Sequence, residues 1–362
     1  MKYVKIIIAW LLIIGQPGVL FCDHIMMCLF SSVGHSEIFN VSDNGEIIHQ
    51  YNLTLTERNV PFKMCFSPDG RWALVGYDTT PSIPNTHITT LLKVDKNDIV
   101  HVQATLDNGY NELVTISPDS KYGVYGQNLN TLRYYSDGTF FDIPTDESYL
   151  SGKYGDFSKY SGNIITNSGW PGGEVREFTL MDDGRTTTTG VVVDISPATG
   201  LKGLFVSPDG KTVIALSYID GYEITVLKVH EEGGLSVTQQ FTPLSTGPRD
   251  VDFTPDSRFA LITFYDSDGE KVRSYEINEK SELTLVDAIF LPGSPGEDMA
   301  VTPDGRYCIT RELIRGRSYF YVVAIDKDGY LTYLPDNDYD IPGFVSDIAF
   351  LPNVEPHGFM LY

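Results

Sequence analysis

One short phrase returns five times along this chain. It reads FSPDGRWALVG at 66–76, ISPDSKYGVYG at 116–126, VSPDGKTVIAL at 206–216, FTPDSRFALIT at 253–263 and VTPDGRYCITR at 301–311. Each copy sets Ser or Thr, Pro, Asp and then Gly or Ser between a bulky residue and an apolar run. Pro presets φ, Asp bonds nearby amides, and the fourth position accepts positive φ, so this is turn chemistry. The flanks alternate, as in Asp250-Val251-Asp252-Phe253 before one copy and Arg258-Phe259-Ala260-Leu261-Ile262 after it. A period of two is the signature of strands. The phrase is therefore a hairpin corner, and its return makes the chain a repeat.

The proline serves as a marker for counting. It stands at Pro68, Pro118, Pro208, Pro255 and Pro303, and two degenerate copies place Lys159 (FSKYSGNII) and Pro352 (AFLPNV) at the same point. The steps are 50, 41, 49, 47, 48 and 49 residues, which is seven units. A second hairpin follows the corner in each, as in ITVLKVHEEGGLSVTQQF and FYVVAIDKDGYLTYL. Four strands in a unit of this length make a propeller blade. The reading is all-β: a seven-bladed β-propeller over 23–362. Pro352 is followed by only ten residues, and the hairpin it lacks stands at the other end, SEIFNVSDNGEIIHQYNLTL at 36–55. Blade seven is expected to be closed by both termini, which leaves no open edge. IMMCLFSS (25–32) and HGFMLY (357–362) compete for its second strand, and the spacing favours the first.

The chain opens MKYVKIIIAWLLIIGQPGVLFCD, with Lys2 and Lys5, then an apolar run from Ile6 to Ile14, then Pro17 and Gly18. That pattern is a secretory signal, expected to be removed near residue 22 and to leave no stable membrane span. Secretion or periplasmic export follows. Cys22 would accept a lipid, but the bulky Phe21 before it disfavours that route. Cys28, Cys65 and Cys308 are too widely spaced for a disulfide framework and read as buried thiols. The net charge of −22 disfavours nucleic acid and anionic membrane as partners. A protein or small-molecule ligand, bound by a monomer, is the expectation that remains.

The stretch TGPRDVDFTPDSRFALIT, followed by VRSYEINEKSELTLVDAIFLPG, resembles a blade of the lactonase-like and YVTN-type seven-bladed propellers. The resemblance extends over 24–362. It implies the propeller fold, and in the lactonase branch the hydrolysis of sugar lactones such as 6-phosphogluconolactone. Members of that branch write a His after Gly-Pro-Arg, whereas here Gly247-Pro248-Arg249 is followed by Asp250. Only Arg249 matches. Blade two reads Asn111-Glu112-Leu113-Val114, with no imidazole where the family has its other channel His. A lactonase needs a base and a cation placed together for the oxyanion, and the family's base is missing.

In a propeller the first strand of each blade lines the channel, and the connections opposite the corners carry the binding residues. Five positions before each marker, the ring reads Lys63, Leu113, Tyr154, Gly203, Asp250, Asp298 and Asp347, with Asp252 one layer deeper than Asp250. Three carboxylates at one level either hold a cation such as Ca²⁺ through Asp250, Asp298 and Asp347, raise one another's pKa, or bond backbone amides of the neighbouring blade. Trp170, within Gly169-Trp170-Pro171-Gly172-Gly173, is a candidate recognition anchor. Tyr77, Tyr218 and Tyr265 end equivalent strands and read as rim packing or ligand stacking. Arg311, Arg315 and Arg317, in the connection RELIRGR, form a local basic cluster. The leading functional expectation is an exported recognition or scaffold module acting through its top face and channel mouth. The alternative is a diverged lactonase-type hydrolase using the acidic mouth.

Overall fold

The computed structural model describes residues 24–352, apart from the connections at 31–34, 56–59, 79–87, 96, 108–112, 127–128, 136–138, 144–153, 168–172, 196–198, 220–223, 244–246, 265–270 and 293–297. Trp170, Tyr265 and Cys22 lie outside these residues, as does the expected signal segment. Among the described residues, no helix is long and apolar enough to cross a membrane.

Seven antiparallel sheets form a ring, and each contributes its first strand to a central channel. These inner strands are Val60–Phe66, Val114–Ile116, Gly155–Phe157, Thr199–Val206, Pro248–Phe253, Met299–Val301 and Val345–Phe350, in blades one to seven. Blade seven is the expected composite: Val345–Phe350 pairs with His24–Phe30, which pairs with His35–Val41 and then Ile47–Thr54. The N-terminal run therefore supplies the second strand.

The second strands are buried on both faces. In blade five every residue of Phe259–Phe264 is buried. Phe259 and Leu261 face blade six, while Ala260 and Ile262 face blade four. Both faces are covered because each sheet is sandwiched between two others. The buried apolar side chains described here fall into seven clusters, one per seam between adjacent blades.

The corner motif makes the same bonds in each intact copy. In blade one Ser67 Oγ donates to Asp69 (2.7 Å) and accepts from the Trp72 amide (2.9 Å), and the Arg71 amide donates to Asp69 (3.1 Å). The fourth residue is left-handed, with φ of 66° at Gly70, 58° at Ser120 and 59° at Ser257. A serine there is strained, but it gains a role. Ser120 Oγ accepts the amide of Asp69 from the preceding blade (3.0 Å), and Ser257 Oγ accepts that of Asp209 (2.9 Å). Gly210 cannot be exchanged in this way. A Cβ there would stand 2.4 Å from the Tyr160 nitrogen and 2.5 Å from that of Lys159, where blade three packs against it.

The expected connection RELIRGR is instead an extended hairpin. Tyr307–Ile314 pairs with Arg317–Ile325 up to Ile314 opposite Arg317, around a turn at Arg315 and Gly316. Both turn residues have positive φ, 49° and 80°. The three arginines are thereby separated: Arg311 is buried, Arg315 sits on the turn, and Arg317 pairs with Asp340.

The seam between blades six and seven also carries a polar latch. The His24 side chain is fully enclosed, and its Nε2 lies 3.0 Å from Asp304, which Thr302 and Arg306 also hold. Arg306 pairs in turn with Asp43 of blade seven. Deleting residues 345–362 should open the ring, expose two edges and remove the sharp calorimetric transition. His24→Ala should cost about 1–3 kcal/mol in chemical denaturation, because a hydrogen bond to a charged group is lost inside the protein. A truncated chain that melts as sharply as the full one contradicts the clasp.

Candidate functional site

The channel encloses about 640 Å³. All seven marker positions, the prolines and Lys159, line it at the corner end, and Lys63, Asp250 and Asp347 line it toward the opposite mouth. The sequence places one residue per blade at the mouth, but the structure uses them differently. Lys63, Asp250 and Asp347 face the channel. Leu113 is buried between blades two and three, and Tyr154 packs against the seam of blades three and four. Asp298 turns away to the Arg311 guanidinium, whose Nη2 and Nε donate to one carboxylate oxygen at 2.6 and 3.1 Å. Arg311 is 1% exposed and lies 4.9 Å from the centre of the Phe344 ring. Among the described residues, Arg249 is not part of the channel lining.

A feature invisible in the repeat count aims the mouth residues. The inner strands of blades one and four shift register just before the ring position, between Pro61 and Lys63 and between Leu201 and Gly203, and that of blade five shifts across it, between Pro248 and Val251. Blade seven shifts just before its own, between Val345 and Asp347. One extra residue in a strand re-aims the side chains that follow.

Two of the three ring aspartates bond the next blade. The Met299 amide donates to Asp250 (2.7 Å), and the Met64 amide donates to Asp347 (2.6 Å). Deeper, the Val301 amide donates to Asp252 (2.7 Å). Asp156 of blade three accepts the Thr115 hydroxyl of blade two and its neighbouring Phe157 amide (2.7 Å). Among the described residues, no three His, Cys, Asp or Glu side chains form a group that could hold a metal ion. Each ring aspartate is bonded to an amide or an arginine.

Charge in the channel is set by burial. Loss of water pushes the Asp250 carboxyl well up from its ordinary value; Lys63 pulls it down, and Asp298, Asp252 and Asp347 push it further up. Burial raises Asp347 too, against the pull of Lys63, with Asp298 adding to the rise. Asp252 is pushed up to about 6 by burial, against the amides of Val301 and Phe253. For Lys63 burial disfavours the charge, but the attraction of Asp347, Asp250 and Asp298 outweighs it and holds the ammonium charged. Its side chain is nonetheless exposed, because the channel around it is open. No carboxylate of the described residues comes within ion-pair distance of this ammonium. It hangs 5.9 Å from the centre of the Phe205 ring, across the channel in blade four.

That ring explains the glycine at the mouth of blade four. A Cβ on Gly203 would stand 2.4 and 2.5 Å from two Phe205 ring carbons, so the ring lies against the Gly203 backbone. Phe205, Asp156 and Thr115 were not picked out from the sequence. The signal was available: each stands three positions before its marker, level with Asp252. Tyr77 is buried with its hydroxyl 2.8 Å from Thr90, which is rim packing; the side chain of Tyr218 is outside the described residues.

No protein-family model matches the chain, and no curated protein does, so the YVTN-type label finds no support there. Solved structures do match. A candidate 6-phosphogluconolactonase from Bacteroides fragilis superposes with a TM-score of 0.73 at 16% identity, over 92% of this chain and 99% of that one. A periplasmic gluconolactonase from Pseudomonas aeruginosa gives 0.71 at 15%, over 91% and 99%. A hypothetical selenium-binding protein from Sulfolobus tokodaii gives 0.67 at 11%, over 91% and 93%. At such identities the likeness shows the seven-bladed, lactonase-like fold and leaves the activity open.

Two outcomes test the electrostatics and packing. Asp252 binds its proton more tightly when folded, so its contribution to stability is greatest below its ordinary value and falls as pH rises from about 4 to about 6. Asp252→Asn removes that loss. The melting temperature of the variant minus that of the wild type should rise across this window, and a flat difference contradicts the shift. Gly203→Ala should destabilise by about 1–3 kcal/mol through overpacking. The cost should shrink when Phe205→Leu is also present, as a double-mutant cycle will measure.

Proposed function

We propose that the protein is a binding module of the lactonase-like propeller fold whose channel takes a small, polar organic molecule. One observation carries this reading: the channel holds a charged ammonium, Lys63, with no ion-pair partner among the described residues, together with the Asp250 carboxyl, one oxygen of which has no hydrogen bond among the described residues. Convergent polar groups in one concave, part-apolar site are what a small-molecule pocket requires. Lys63 would donate to a carbonyl or hydroxyl oxygen of the ligand, and Asp250 and Asp347 would accept from its hydroxyls. Export to the periplasm or beyond, proposed from the N-terminal pattern, fits a chain of net charge −22.

A second reading is lactone hydrolysis. It is favoured by the Asp250 carboxyl, raised by burial and set in the field of the Lys63 ammonium. A base held toward neutrality could activate water, and the ammonium could stabilise the oxyanion. Asp250 stands where the lactonase branch writes its His.

Glucono-1,5-lactone and sorbitol are suitable probes. The binding reading expects saturable thermal stabilisation that Lys63→Met removes, with no turnover above the uncatalysed rate. Turnover lost in Asp250→Asn, with melting unchanged, would replace it with the hydrolase. No stabilisation by either probe and no turnover would remove the channel as a site for such molecules.

A further inference from the structure

The wall of the channel formed by blades three, four and five has a composition of its own. At one level, three positions before the marker, it carries Asp156, Phe205 and Asp252 on adjacent blades. An aromatic face thus stands between two carboxylates. The ring is held there by design of its neighbour, since only a glycine at 203 leaves room for it. On the other four blades the same level carries Cys65, Thr115, Ala300 and Ala349.

The protein already shows what this wall attracts. Its own ammonium, Lys63, reaches across from blade one and hangs over the Phe205 ring without a close carboxylate. An aromatic face flanked by carboxylates is the arrangement that binds organic ammonium groups. The acidic and basic side chains are also unequal in number. Asp156, Asp250, Asp252 and Asp347 line the channel with Lys63 and Lys159, and Asp298 is neutralised by Arg311. Lys159 stands among the prolines at the corner end, so Lys63 is the cation on the carboxylate levels. One oxygen of Asp156 and one of Asp250 have no hydrogen bond among the described residues. A metal ion needs its oxygens gathered into one shell, which this wall does not provide. A larger cation with diffuse charge can meet oxygens that lie far apart.

We propose that the channel ligand is an organic cation, an amine-bearing polyol or similar small ammonium compound, seated against Phe205 between Asp156 and Asp252. This rests on the reading that the channel takes a small polar molecule, and it names the charge of that molecule. The net charge of −22 would raise the local concentration of such a ligand and repel an anionic one.

Three probes on the same six-carbon polyol frame separate the cases: N-methyl-D-glucamine (a cation), sorbitol (neutral) and gluconate (an anion). Titration calorimetry of the full chain near neutral pH should show the cation binding about tenfold or more tightly than sorbitol, with gluconate weakest. Phe205→Leu should reduce that preference several-fold. Asp156→Asn should do the same, and serves if the first variant melts abnormally. Equal binding of cation and sorbitol would overturn the inference and leave the polar-ligand reading standing. Gluconate binding most tightly would also overturn it, and would make Lys63 the anchor. Silence from all three would count against both.

Discussion

Each blade is a sheet with two apolar faces and no core of its own, so it is stable only between two neighbours. That requirement governs the rest of the structure. Seven seams bury seven separate clusters, and the ring must close for the last one to exist. The chain meets the demand by splitting blade seven, so that Val345–Phe350 and His24–Phe30 lie side by side. Opening the ring would expose Met26, Phe30, Ile348 and their neighbours along two unpaired edges. The polar latch of His24, Asp304, Arg306 and Asp43 sits on the closing seam, where the two ends of the chain meet.

The same closure creates the electrostatics of the channel. Aspartates on the inner strands accept amides of the next blade, so they hold the ring together and face the channel at once. Because the ring surrounds them, they lose water and their acidity weakens. A carboxylate with a structural bond on one oxygen and a free second oxygen can serve both packing and recognition. Asp250 is the clearest instance, with the Met299 amide on one side and the field of Lys63 on the other. Asp298 differs, because Arg311 reaches it from inside the blade and neutralises it.

Much of this was legible in the chain. Turn chemistry identified the corners, marker spacing counted the blades, and the ten residues after Pro352 required a composite seventh blade. The aspartate ring was located, and amide bonding to the next blade was among its expected roles. Three features were not legible. The register shifts before Lys63, Gly203 and Asp347 leave no periodic trace, because one inserted residue looks like ordinary variation in strand length. The RELIRGR segment reads as a loop because it is charged, yet Arg311 and Glu312 are buried and the first strand runs on to Ile314. Phe205 stands at a legible level, three positions before its marker, but an aromatic residue inside a strand carries no sign that it faces the channel.

By itself the sequence determined the all-β repeat, the number of blades and the way the ends meet. Those properties depend on local dihedral preferences and on spacing along the chain, both of which are written residue by residue. Only the tertiary structure decided which ring residues share the channel and with what charge. Lys63 and Phe205 lie 142 positions apart, and Asp347 reaches the amide of Met64 from 283 positions away. Burial and Coulomb fields depend on distance through space, and that distance exists only once the ring has closed.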